Sequence, residues 1–283
     1  MKPSERPIKT PWPASLALVG PGKVGRSLGA WFRATGGELR RLAGRRTPEV
    51  VAARFGAAAT KLGRFASDDC DLLLIAVSDP ALDAVVAALA ERPQAPVVLH
   101  TAGNRGASAL EPLRTFQPEI ALGTLHPLKA FPEPLEDPAE GVGIFFALDG
   151  DRRAREAGRI LAERWRATSG VIAGPDRILY HLAATLSAGG VVTLVAAACA
   201  LARRLDLPQE VSRGYLELAR GALEHAEDAL PEFEQAITGP VARGDEAAFE
   251  RQLDELARRA PELQPLVLEL AAETRRRLGR QPP

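Results

Sequence analysis

Over its first half the chain alternates short apolar runs with longer stretches of helical period. Leu16, Ala17, Leu18 and Val19 form an unbroken apolar run, and Val24, Leu28, Trp31 and Phe32 then recur at helical spacing. That pattern predicts a strand followed by an amphipathic helix. Glu38 to Ala43 reads as a second strand, Pro48 to Phe55 as a helix stopped near Gly56, and Lys61 to Phe65 as a short third strand. Asp71 to Val77 is apolar almost throughout, as expected of a parallel strand buried on both faces. A helix over Ala81 to Ala90 follows, with Asp79 placed to cap it and Pro80 at its first position. Pro96 to His100, Ile120 to Phe131 and Val142 to Leu148 are further strands, the last closing the sheet, and Asp149-Gly150-Asp151 marks a boundary.

Beyond that boundary the period is helical, apart from an apolar piece at Gly170 to Ala173: Arg152 to Ala167, Asp176 to Leu205, Pro208 to Asp228 and two helices after Gly244. Strands alternating with helices, then helices alone, predict an α/β chain. A doubly wound sheet is expected over residues 14–150 and an all-α substrate and dimerisation domain over 151–283. Residues 1–13 lack an apolar core and read as a disordered leader. Leu182 to Ala202 carries no charge, but Thr185, Ser187, Gly189, Gly190 and Thr193 interrupt it, so a buried helix is expected there and not a membrane span.

Composition narrows the partners. The 283 residues hold 36 Lys and Arg against 36 Asp and Glu, which gives no reason to expect a nucleic acid. Two cysteines, Cys70 and Cys199, without metal spacing point to neither a disulfide framework nor a metal site, and fit a reducing cytoplasm.

The candidate chemistry begins at Gly20-Pro-Gly22-Lys23-Val24-Gly25, set between the first strand and helix. In such a turn the first glycine bends the chain and the second admits a pyrophosphate. The third lets helix and strand pack closely, while free N–H groups at the helix start face the phosphates. This context predicts a dinucleotide site. An NAD-selective site places an acid at the end of the second strand, to hold the ribose 2′-hydroxyl. Here Arg45, Arg46 and Thr47 stand instead, a set suited to a 2′-phosphate, so NADP is the expected cofactor; Thr47 also suits a helix N-cap. Ser78 and Asp79 end the Asp71–Val77 strand at the ligand-binding edge, where capping alone also explains Asp79. Thr101 lies in a loop of small residues, Thr101-Ala-Gly-Asn104, with room for a nicotinamide ring.

Those glycines, the His100-Thr-Ala-Gly103 strand end, Thr124-Leu-His-Pro-Leu128, Tyr180-His-Leu-Ala-Ala184 and Thr238-Gly-Pro-Val-Ala-Arg-Gly-Asp245 together resemble a group of oxidoreductases. That group joins a Rossmann-like N-terminal domain to a C-terminal helical domain of unknown function, of the 6-phosphogluconate dehydrogenase C-terminal-like kind. It is similar in build to ketopantoate and pyrroline-5-carboxylate reductases. The resemblance implies NAD(P) binding and redox chemistry, and a homodimer formed through the helical domain is expected.

One departure matters. Classical members of the wider set use a lysine and, four residues on, an asparagine on the long C-terminal helix, whereas this chain has no lysine after Lys129 and has Gly189 where asparagine is often found. Reduction by NADPH still needs a proton donor. The readings are therefore His126 and His181 as the catalytic pair, with Thr185, Ser187 and Arg243 as contacts to a small keto acid, imine or related carbonyl between the domains. His126 is expected at the sheet edge and His181 at the start of the long helix. Gly189-Gly190 suggests a close approach to cofactor or to a second helix, and Asp245 either lines the cleft or caps the next helix. A nucleotide-binding sensor or assembly protein without strong catalysis is the alternative.

Overall fold

The computed structural model describes residues 12–45 and 48–280. Eight strands form one sheet: β1 Ser15–Val19, β2 Glu38–Ala43, β3 Ala58–Thr60, β4 Leu72–Ile75, β5 Val97–His100, β6 Ala121–Pro127, β7 Phe145–Gly150 and β8 Thr168–Val171. Their order is β3-β2-β1-β4-β5-β6-β7-β8, parallel from β3 to β6, with β7 antiparallel to β6 and β8 parallel to β7. The first six strands have the Rossmann order, in which ligands bind where the direction of strand succession reverses, at the ends of β1 and β4.

The alternation of side chains along β1 divides the core. Leu16 and Leu18 enter one apolar cluster with Trp31, Phe32, Phe146 and Trp165, while Ala17 and Val19 enter another with Phe65, Leu82, Val86 and Leu110. Helices α1 Lys23–Ala34, α2 Pro48–Phe55, α3 Asp79–Leu89 and α4 Arg152–Arg164 flank the sheet. Trp31 of α1 and Trp165 after α4, both sealed from solvent, stack edge to face with centroids 5.8 Å apart. The Arg164 guanidinium lies over the Phe32 ring and donates to the Pro13 and Thr35 carbonyls.

These contacts revise the expected domain division. The chain forms two compact units, residues 1–185 and 186–283. The sheet does not close at Leu148: β8 adds another strand, and α4, β8 and α5 Arg177–Thr185 belong to the first unit. The third strand is Ala58–Thr60, paired with Arg41–Ala43, and the stretch expected to form it holds a 3-10 turn at Leu62–Arg64. Of the expected leader, Trp12 packs against the core and Pro13 is buried.

The second unit holds a π turn at Leu186–Gly190, then α6 Val191–Arg204, α7 Glu210–Asp228, α8 Pro240–Arg243, α9 Glu246–Arg259 and α10 Gln264–Arg277. Asp245 caps α9 by accepting from Ala248 N at 3.0 Å, which accounts for that carboxylate. The uncharged Leu182–Ala202 stretch departs from the burial expected of it: Leu186 and Val192 are 63% and 69% exposed. The helical run Gly174–Arg204 is long and apolar enough to cross a membrane, by length and composition only.

Trp165, at the end of α4, packs against Trp31 of α1 and Phe146 of β7. Its replacement by alanine is expected to lower the unfolding free energy by about 3–5 kcal/mol, measured by urea denaturation; a loss below about 1 kcal/mol contradicts this packing role.

Candidate active site

Two glycines of the turn are sterically required, and the middle one faces open space. Gly20 has φ +90°, and a Cβ there would meet Ala76 O at 2.5 Å; a Cβ on Gly25 would meet Gly20 O at 2.2 Å. Gly22 faces open space and precedes α1, whose start has no side-chain cap and no acid in its first turn. Exposed Lys23 and half-buried Val24 begin that helix. A pyrophosphate fits this cradle: there is room in front of Gly22, and the N–H groups and positive dipole end of α1 are unmatched by any side chain. Arg45 is exposed two residues beyond β2, while Arg46 and Thr47 lie outside the described residues.

The other predicted cofactor contacts are at the same edge. Ser78 is exposed and stands before α3; Asp79 is the first residue of that helix, not its cap, and its Oδ2 accepts from Asn104 N at 3.4 Å. Thr101 is buried, and its N–H donates to Ile75 O at 3.1 Å.

A second group of side chains gathers where β5 and β6 end. Because His100 and Thr124 pair in register, His126 projects two residues farther along β6. Its Nδ1 lies 3.0 Å from the Tyr180 hydroxyl, and its ring meets the His181 ring edge to face with centroids 5.5 Å apart. The two predicted histidines are thus brought together, and Tyr180 joins them. Gly103 makes the approach possible: a Cβ there would fall 2.3 Å from His181 Nδ1 and 2.8 Å from His126 Nε2. The small loop expected to make room for a nicotinamide makes room here for two imidazoles. His181 Nδ1 is buried and has no hydrogen-bond partner among the described residues.

The loop itself is pinned from below. Fully buried His100 accepts from Ala102 N through Nδ1 at 3.2 Å, so its Nε2 carries the proton and donates to Gly106 O at 3.0 Å. Arg177, also sealed from solvent, donates from Nη1 to Thr124 Oγ1 at 3.0 Å and from Nη2 to Ala102 O at 3.1 Å.

Electrostatics separates the roles. Burial, and then the Arg177 charge, push His126 down to about 3; burial, against the hydrogen bond to Gly106, brings His100 to about 4. Both imidazoles are therefore neutral at pH 7, and His126 is not the ready acid that an unperturbed histidine would be. Burial raises the Tyr180 phenol above its ordinary value, while Arg177 draws it down. Tyr180 is the residue that sequence reasoning passed over, although it sits next to His181 in one of the motifs singled out.

Of the predicted substrate contacts, Thr185 is exposed and its hydroxyl donates back to His181 O at 3.0 Å. Ser187 lies in the π turn and exposed Arg243 ends α8, both in the second unit. A Cβ on Gly189 would meet nothing within 4 Å, so nothing among the described residues makes the close approach expected there.

His100 and His126 have folded values below the ordinary histidine value of 6.5. Their contribution to stability is therefore complete above pH 6.5 and is lost as pH falls toward and through about 4 and about 3. The unfolding free energy is expected to decline steadily below pH 6.5 in urea titrations, and less steeply in His126→Gln. A flat profile from pH 7 to 4.5 contradicts neutral burial of these rings.

Residues 144–274 match the family model described as Domain of unknown function (DUF2520). No curated protein matches the chain. Among solved structures, a Thermotoga maritima protein aligns over 93% of this chain and 97% of its own, with TM-score 0.75 and 21% identity. An imine reductase from Myxococcus stipitatus, solved in complex with NADP+, aligns over 92% and 94%, with TM-score 0.64 and 16% identity. A 1-pyrroline-5-carboxylate reductase from Streptococcus pyogenes aligns over 92% and 96%, with TM-score 0.61 and 16% identity. The chain therefore has the build of these reductases, a Rossmann-like N-terminal domain followed by a helical C-terminal region matching DUF2520.

Proposed function

We propose that the chain is a soluble cytoplasmic NADP-dependent reductase of a small keto acid, imine or related carbonyl, with Tyr180 as proton donor. The observation that carries this reading is the Tyr180 hydroxyl held 3.0 Å from His126 Nδ1, beside the unpartnered His181 Nδ1, on the sheet edge that also bears the glycine turn. Gly20, Gly22, Lys23, Val24 and Gly25 would hold the pyrophosphate, Arg45, Arg46 and Thr47 the 2′-phosphate, and Ser78, Asp79 and Thr101 border the same edge. When bound, a reduced nicotinamide supplies hydride.

The protein's own part is the proton. A neutral imidazole is a poor acid, whereas a phenol that gives up its proton leaves an oxygen which His126 Nδ1–H can support by donation. His126 then orients and stabilises Tyr180. Exchange with solvent returns the proton to Tyr180.

Tyr180→Phe is expected to lower kcat for NADPH oxidation with a ketone or imine substrate by about 10²–10⁴-fold, and His126→Gln by a smaller factor. Cofactor affinity should hold in both. Unchanged turnover in Tyr180→Phe removes the phenol from the mechanism.

We also propose that a second copy covers the uncharged Leu182–Ala202 surface. Exposed leucine and valine interleaved with small residues suit close helix contact, whereas the interrupting polar residues suit a lipid interior poorly. Light scattering should give the mass of a dimer for the native chain and of a monomer for Val192→Glu. A native chain that is monomeric at micromolar concentration contradicts this.

A further inference from the structure

Arg177 is unusual among the charged residues of the first unit. It is fully buried, and no carboxylate lies within 4.0 Å of it among the described residues. Its Nη1 and Nη2 bond neutral oxygens of Thr124 and Ala102, and its Nε has no partner among the described residues. The acids that act on it, Asp149 and Asp79, do so only from longer range. They are engaged elsewhere, Asp149 Oδ2 by Ala107 N and Asp79 Oδ2 by Asn104 N.

A guanidinium cannot shed its charge, and burying it without an ionic partner is costly. Two bonds to neutral oxygens are a weak reason to place a full positive charge there, since a neutral amide can make both. The geometry puts three groups near the charge: Tyr180 lies three residues along α5, His126 two residues beyond the Thr124 that Nη1 bonds, and His100 accepts from the N–H of the Ala102 that Nη2 holds. The charge is also out of contact with solvent, so it is screened far less than a surface arginine.

We propose that Arg177 supplies a fixed positive potential for an anion developing at Tyr180 and on the substrate oxygen, and that it selects neutral carbonyls over protonated imines. The inference rests on the reductase reading and names the substrate class of that site. Hydride addition to a carbonyl carbon moves the C=O π pair onto oxygen. The phenolic proton of Tyr180 passes to that oxygen, and a solvent proton later restores the phenol. Negative charge therefore resides first on the substrate oxygen and then on the tyrosine oxygen, and both stages lie in the field of Arg177. An iminium substrate arrives positive, becomes neutral on hydride addition and needs no proton from Tyr180. The buried cation opposes its binding and gives its transition state no help. Arg177 touches no reacting atom on this account; it is a positioning residue that acts through Tyr180.

The test uses ionisation before it uses activity. The chain has two tyrosines, so Tyr215→Phe leaves Tyr180 as the sole phenol, and its titration can be followed at 295 nm in the protein without added nucleotide. Neutralising position 177 by Arg177→Gln or Arg177→Met should raise the Tyr180 midpoint by about one pH unit or more. The same variants should raise the His126 midpoint in histidine NMR, and Arg177→Lys should restore most of both shifts. Midpoints unmoved in a folded neutral variant overturn the proposal. Should neither neutral variant fold, the native enzyme decides: kcat/KM for a cyclic ketone should exceed that for the cyclic imine of the same ring by about tenfold or more between pH 6 and 8. Preference for the imine, growing as pH falls, overturns the selection. Absence of turnover with either substrate points instead to failure of the reductase reading, and the tyrosine titration stands independent of it.

Discussion

One guanidinium ties three separate pieces of the first unit together. Arg177 begins α5, reaches Thr124 on β6 and holds the Ala102 carbonyl of the loop after β5. Its planar fork fixes the relative positions of its acceptors, which a flexible ammonium does less well. The loop lies where Gly103 fits against two imidazoles, and α5 lies where its Tyr180 meets His126 at 3.0 Å. His100 secures the loop from the other side through Ala102 N and Gly106 O. The same arrangement sets the electrostatics, because the Arg177 charge helps to keep His126 neutral and opposes the rise that burial gives the Tyr180 phenol.

The sheet supplies the other half of the candidate site. Its parallel strands deliver the glycine turn after β1, Asp79 after β4, Thr101 after β5 and His126 along β6 to one edge. The turn demands glycine for steric reasons at Gly20 and Gly25, while Gly22 is glycine with space before it. Two constraints of opposite kind therefore meet there, crowding that excludes side chains and an opening that a phosphate can enter.

The parts legible in the sequence were those determined by neighbours along the chain. The run Leu16–Val19 with its glycines was such a part, and so was His126, carried by an apolar strand and stopped by Pro127. Asp245 was too, one of its two readings being the cap it makes. What stayed hidden depends on distant pairing. The α4 helix itself was expected, but its packing on the sheet was not: it is so rich in arginine that its buried face of Ala154, Ala157, Leu161 and Ala162 is muted, and β8 is only four residues whose partner, Phe145–Leu148, lies more than twenty positions earlier. The compact units accordingly divide thirty-five residues beyond the boundary expected at residue 150. Tyr180 and His126 are 54 residues apart, so no local pattern announces their contact, though the Tyr180-His181 motif marked the place. A buried Arg177 looks like any other arginine in an arginine-rich chain until its surroundings are known.

Nucleotide binding is the central requirement, and its most direct measurement is a fluorescence titration of the purified protein with NADPH and NADH side by side. Saturable binding of NADPH, with NADH at least about tenfold weaker, is the predicted result, because Arg45, Arg46 and Thr47 stand where an NAD-selective site has an acid. Binding of neither nucleotide contradicts the account, and leaves the Rossmann-like unit as a scaffold for sensing or assembly.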